Sequence, residues 1–310
     1  MRRDRITRGR RLPRATIALA AGAVLAASGC GLSSSSGGAG GTAKVEVVAA
    51  ENFWGSIAAQ VGGDHVHVTS IISNPDTDPH AYEAKPNDAR TVATARYVIV
   101  NGAGYDPWLP KLLDANPVPG RQVLNVGDML GRKEGDNPHF WYSPDFVTRV
   151  IDRVTGDLKK LDSADAAYFD QQNTAYKTVG LRDYADTLAA IKQKYGGTAV
   201  GATESIFVYV AAPAGLNLVT PPEYMKAISE GTDPSAADKA TIERQIATRA
   251  IRVLVFNSQN TTPDVNAFVE QARAQGIATT SVTETLSPAT ATYQEWQTAQ
   301  LKALLRALGG

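Results

Sequence analysis

From Lys44 onward, short apolar runs alternate with longer segments of helical spacing. Val45-Glu46-Val47-Val48-Ala49-Ala50 reads as a strand, Phe53 to Val61 as a helix, and His65 to Ile72 as a second strand. Pro86 to Ala95 has a helical pattern, with Asn87-Asp88 near its start. Tyr97-Val98-Ile99-Val100 is a third strand, stopped by Asn101-Gly102. Trp108 to Leu113 reads as a short helix and Val123 to Val126 as a fourth strand. Apolar runs this short, bounded by turn residues and separated by helices, predict a parallel sheet covered on both faces.

The alternation stops at Pro144. Val147, Val150, Ile151, Val154 and Leu158 recur at helical spacing. After Asp162-Ser163, a good helix-start signal, Tyr168 to Lys194 reads as one long helix, with Val179-Gly180 weakening its middle. Beyond Gly196-Gly197 the strand–helix alternation resumes. Strands are expected at Thr198–Ala202, Leu216–Val219, Val253–Phe256 and Ile277–Val282. Helices are expected at Ser205–Ala211, Ser235–Thr248, Asp264–Gln275 and Thr292–Leu308. The fold class is therefore α/β: two lobes, residues 44–145 and 196–310, each a mostly parallel sheet flanked by helices. A helical linker, residues 146–195, joins them.

The first residues change this picture. Seven arginines and one aspartate precede residue 15, and an apolar run follows from Ala15 to Ala27. The run is too short to span a bilayer, and its basic flank matches a secretory signal, residues 1–29. The general secretory route is expected, although Arg10-Arg11 allows a twin-arginine reading. Cys30, the only cysteine, comes directly after Ala27-Ser28-Gly29, where it suits lipid attachment rather than a disulfide. Residues 30–43, rich in Gly and Ser, read as a flexible tether. The chain is thus expected to be exported and lipid-anchored to the outer face of the cytoplasmic membrane. Without residues 1–29 it carries 24 Lys+Arg against 30 Asp+Glu, a formal charge near −6. That argues against nucleic acid as a partner, because phosphate binding needs a basic patch.

Candidate chemistry starts with the histidines. Only four occur, and two sit in Pro-His contexts beside aromatic residues: Asp78-Pro79-His80-Ala81-Tyr82-Glu83 and Asn137-Pro138-His139-Phe140-Trp141. Open α/β sheets bind ligands at the carboxyl ends of their strands. His80 follows the second predicted strand and His139 the fourth. Glu204 follows Thr198–Ala202 and Glu284 follows Ile277–Val282. Two imidazoles and two carboxylates from both lobes would suit a first-row divalent ion in a cleft between them. Each residue also has an ordinary reading, as a hydrogen-bonded histidine or a solvated loop glutamate. His65 and His67, a His-x-His pair, read either as a metal pair or as one exposed strand face. The chain holds no Gly-rich phosphate loop and no nucleophile elbow.

Taken in order, these segments resemble the zinc/manganese group of solute-binding lipoproteins of ABC importers, over about residues 44–310. Asp78–Glu83 is similar to that family's first metal motif and Asn137–Trp141 to its second. Asn101-Gly102-Ala103-Gly104-Tyr105-Asp106-Pro107-Trp108-Leu109 is similar to its Asn-Gly…Trp-Leu segment. The resemblance implies one long rigid helix joining the lobes and four metal ligands: His80, His139, Glu204 and Glu284. Thr203-Glu204-Ser205 matches the glutamate version of the third ligand, found in manganese binders. Glu284 stands where the family usually has Asp. Residues 128–138 lack the His-rich insertion of many zinc members, so both features lean away from a dedicated zinc binder. The implied ligand is zinc or manganese, with iron admissible. The implied partners are ABC permease subunits with their cytoplasmic ATPase, served by a monomeric, non-enzymatic binding protein. A secreted metal-dependent hydrolase and a surface adhesin with an incidental metal are the alternatives.

Overall fold

The structure, a computed structural model, describes residues 43–75, 77, 79 and 82–310. The signal, Cys30 and His80 lie outside the described residues.

The first sheet holds β1 (Val45–Glu51), β2 (Val66–Ile72), β3 (Tyr97–Val100) and β4 (Gln122–Asn125). Their order is β2-β1-β3-β4, all parallel. Parallel strands covered on both faces need apolar residues on both, so they read as continuous runs rather than alternating ones. Along β1, Val47 and Ala49 join the large core while Val48 and Ala50 join a smaller cluster behind the sheet, with Val92, Trp108 and Leu109. The helices of this half are α1 (Asn52–Gly62), α2 (Pro86–Thr94), α3 (Trp108–Ala115) and α4 (Val126–Leu130). Phe53, Ile57 and Val61 of α1 are fully buried. Phe53 stacks on Trp141 with ring centroids 3.9 Å apart.

Ser143 starts α5 (Pro144–Leu161): its Oγ accepts from Phe146 N at 3.4 Å, and Pro144 takes the first helical position. The stripe Val147, Val150, Ile151, Val154, Leu158 is buried, as its spacing predicts. The next segment runs as α6 (Ala166–Ala175), a π-helical turn at Tyr176–Gly180, and α7 (Arg182–Tyr195). The π turn falls where Val179-Gly180 interrupts the predicted helix. Leu181 N donates to Tyr176 O at 2.9 Å, five residues back.

The second sheet repeats the first. It comprises β5 (Ala199–Ala202), β6 (Asn217–Leu218), β7 (Val253–Asn257) and β8 (Ala278–Val282), parallel and ordered β6-β5-β7-β8. Its helices are α8 (Val208–Ala211), α9 (Pro222–Ser229), α10 (Ala236–Ala247), α11 (Pro263–Ala274) and α12 (Tyr293–Leu308). A capping box between Thr292 and Glu295 opens α12, which packs on α7 and β8.

Several local expectations differ. The helix expected at Ser205–Ala211 is a 3-10 turn, Ser205–Phe207, followed by the single turn of α8. Val126 leaves the fourth strand because the Asn125 side chain accepts from Asp128 N at 3.1 Å and starts α4. The sequence pattern did not mark α4 or α9. His65 ends a 3-10 turn, Gly63–His65, rather than opening β2.

Replacing Phe53 by Ala removes a fully buried ring from the centre of the core. The expected cost is about 3–5 kcal/mol, read as a lower urea midpoint with unchanged slope.

Candidate metal centre

The carboxyl ends of the strands carry a buried polar layer. Glu51 closes β1, Asn101 follows β3, Glu204 follows β5, Asn257 closes β7 and Glu284 follows β8; all five side chains are buried. Donor atoms of His139, Glu204 and Glu284 lie within 4.8 Å of one another. His139 Nε2 is 4.0 Å from Glu204 Oε1 and 3.6 Å from Glu284 Oε2.

His139 precedes the 3-10 turn Phe140–Tyr142, and its ring orientation has a chemical cause. Asn137 Nδ2 donates to Ser205 O at 2.7 Å, which fixes the amide with Oδ1 toward the imidazole. Oδ1 is 2.7 Å from His139 Nδ1 and can only accept, so Nδ1 carries the proton. That tautomer turns the Nε2 lone pair toward the two carboxylates, the arrangement that a metal-binding imidazole needs.

The glutamates are placed by a second amide. Asn257 Nδ2 donates to Glu204 Oε2 at 2.6 Å and to Glu284 Oε1 at 2.9 Å. Asn257 Oδ1 accepts from Gln259 N at 3.0 Å, which sets the amide's direction. The outer oxygen of each carboxylate is thus tied down, and the inner ones, Glu204 Oε1 and Glu284 Oε2, face Nε2. Asn260 Nδ2 reaches Glu204 Oε1 at 3.3 Å, and Tyr105 Oη donates to Glu284 Oε2 at 2.6 Å. Burial, and then the charge of Glu284, push the Tyr105 hydroxyl well above its ordinary value, so it stays a donor.

The turn carrying Tyr105 is built by Asp106. Its carboxylate accepts from Asn101 N at 2.7 Å and Gly102 N at 2.8 Å. Gly102 has φ +77, and a Cβ there would lie 2.0 Å from Asn125 Oδ1. Asn101 Oδ1 accepts from Trp54 Nε1 at 3.0 Å, and Asn101 Nδ2 donates to Pro138 O at 3.0 Å, next to His139. Burial raises Asp106 to about 6 despite the backbone donors. Glu51 is raised well above the carboxylate range, chiefly by burial and then by Asp106 and Glu284. Neither Glu51 oxygen has a hydrogen-bond partner among the described residues.

One imidazole nitrogen and two carboxylate oxygens make a mixed donor set for a divalent ion. An ion about 2.0–2.2 Å from each donor places tetrahedral neighbours roughly 3.3–3.6 Å apart, and the observed separations sit at or slightly beyond that spacing. Beside the centre opens a cleft of about 450 Å³, lined by Tyr105, Pro138 and Asn260 with the acids Glu134, Asp136 and Glu230. An acidic approach raises the local concentration of cations.

Of the four expected ligands, three converge, and His80 falls outside the described residues. His65 and His67 take no part here: His67 Nδ1 lies 2.8 Å from Glu46 Oε2 on the exposed edge of the sheet. Sequence reading missed Asn257, Glu51 and the roles of Asn137 and Tyr105. The signal that marked Glu204, a polar residue closing an apolar run, was also present at Glu51 and Asn257.

Two parallel four-stranded sheets flanked by helices, with an imidazole and two carboxylates converging at their strand ends, make this an α/β protein with a candidate metal centre. Residues 47–307 match the family described as the zinc-uptake complex component A, periplasmic, and the chain belongs to that family. Among similar proteins, the manganese-binding lipoprotein MntA of Halalkalibacterium halodurans is 28% identical over 155 residues, covering 49% of this chain and 51% of that relative. The chain therefore spans about half of that relative's length. The Bacillus subtilis protein of the same name is 22% identical over 274 residues, covering 83% and 85%. The solved periplasmic metal-binding protein of Candidatus Liberibacter asiaticus shares the fold, with TM-score 0.71 at 18% identity over 86% of this chain and 100% of that one.

Asp106 titrates near 6 in the folded chain against an ordinary 3.8. It holds its proton more tightly when folded, so its contribution to stability is complete below about pH 3.8 and is lost as pH rises through about 6. In Asp106→Asn the fall of the denaturation midpoint across that window should become shallower, measured by urea melts at stepped pH.

Proposed function

We propose that this chain captures a divalent transition ion outside the cytoplasmic membrane and delivers it to an ABC permease for import. The observation that carries this reading is the buried convergence of His139 Nε2 with the inner oxygens of Glu204 and Glu284. His80 is the proposed fourth ligand. Membership of the uptake-complex family and the names of the two lipoprotein relatives support the transport role. The carboxylate-rich donor set favours manganese or iron, and the imidazoles admit zinc. The proposed role is binding without turnover, because four protein ligands leave little room for the metal-bound water that a hydrolase needs.

In the same proposal, residues 1–29 are a signal, Cys30 carries the lipid and residues 30–43 are the tether. The lobes are residues 44–145 and 196–310, joined by 146–195, and the protein works as a monomer.

Residues 31–310, purified and submitted to elemental analysis, should carry one strongly held ion at this centre; Glu204→Ala and His139→Ala should lose it. Asn257→Ala should weaken affinity about 10–100-fold by calorimetry, because both carboxylates lose their anchor. If Glu284→Ala leaves stoichiometry and affinity intact, Glu284 is not a ligand.

Protons compete for imidazole and carboxylate, so affinity should fall as pH drops from 7 to 5. An affinity flat over that range would remove His80 and His139 from the ligand set. Cys30→Ala should move the protein from the membrane fraction to the soluble one.

A further inference from the structure

At the opposite end of the first sheet, a second group of donors meets. His65 lies in the turn between α1 and β2. Asp162 follows α5, and Asp165 ends the 3-10 turn Ser163–Asp165 that leads into α6. His65 Nδ1 is 3.0 Å from Asp165 Oδ2 and 3.7 Å from Asp162 Oδ2, and donor atoms of the three residues lie within 4.8 Å of one another. From these positions we propose a second site, of the zinc class of divalent ions, formed by His65, Asp162 and Asp165 and independent of the strand-end centre.

The separations bracket the roughly 3.3 Å edge of a tetrahedron around an ion about 2.0 Å from each donor. Two carboxylates and one imidazole nitrogen are donors of the kind a zinc-class ion takes. The side chains are 23%, 12% and 30% exposed, so three protein donors leave room for water to complete the shell. Exposure also makes this the weaker and faster-exchanging of the two sites.

The imidazole is oriented by packing. Its ring lies on Tyr168 with centroids 4.3 Å apart, and meets Phe169 edge-on at 5.7 Å. Tyr168 Oη accepts from Asp64 N at 3.4 Å. Gly63 has φ +50, and a Cβ there would lie 2.0 Å from Tyr168 Oη, so the turn is pressed onto α6. Nδ1 therefore points at both aspartates, and an ion there would pin the start of β2 to the corner between α5 and α6. The seven residues of β2 separate this corner from the strand ends by roughly 20 Å.

Residues 42–310 form one compact unit, so the exported part, residues 31–310, serves for the test. Equilibrium dialysis with Zn²⁺ at pH 7.5 counts the ions, and Co²⁺ absorption reports nitrogen–oxygen coordination. The native chain should bind two ions. His139→Ala combined with Glu204→Ala should keep one, and His65→Gln should keep only the other. Asp162→Asn should weaken the second ion alone, which guards against a folding defect in His65→Gln, with circular dichroism checking both variants. An unchanged count in both His65→Gln and Asp162→Asn overturns the site. So does complete loss of zinc when only the strand-end centre is removed. Separate variants report on the two centres, so failure of one proposal leaves the other standing.

Discussion

Two buried glutamates can share one small volume as anions only if donors meet them there. In this protein one side-chain amide reaches both of them. Asn257 spends both of its N–H groups on Glu204 and Glu284, and its own oxygen is fixed by the backbone of Gln259. Like charges buried a few ångströms apart otherwise push one pKa up and leave one group neutral. With the amide in place, both carboxylates are directed at His139 from fixed positions. The surrounding layer supports that arrangement: Asn137 sets the tautomer, Asp106 builds the turn that supplies Tyr105, and Asn101 ties that turn to Pro138.

The sheets serve the same end. Parallel strands deliver their last residues to one edge, and two such edges give five polar side chains a common layer without any strand having to leave its ladder. The apolar faces of both sheets absorb the cost of burying those groups. The centre is preorganised by backbone geometry and by amides, and less by mutual attraction among its own members.

Much of this was legible in the sequence because buried parallel strands are continuous apolar runs. Val45–Ala50, Tyr97–Val100 and Val253–Phe256 each read correctly from that signal, and the stripe of α5 read correctly from its period. What did not read has identifiable causes. In α9, Pro221-Pro222 looks like a break, yet Pro222 occupies a first-turn position where its missing N–H costs nothing. In α4, a capping asparagine hid at the end of an apolar run. His65 and His67 looked like one pair on a strand, but a glycine turn put the first among aspartates and left the second beside Glu46. Glu204 and Glu284 were visible as residues closing strands. Asn257 closes a strand in the same way, but an uncharged amide suggests no ligand chemistry until its partners are known in space.

The repeated strand order has one more consequence. The two halves present corresponding residues at corresponding strand ends: Glu51 and Asn101 in the first, Glu204 and Asn257 in the second. In the second half the asparagine donates to the glutamate. In the first half the asparagine is turned to Trp54 and Pro138, and burial drives Glu51 toward its neutral form. Two sheets of the same strand order are thereby made electrically unlike: one places a glutamate beside an amide donor, and the other places its glutamate where burial favours the neutral form. Amide orientation is one of the features that separate the two halves.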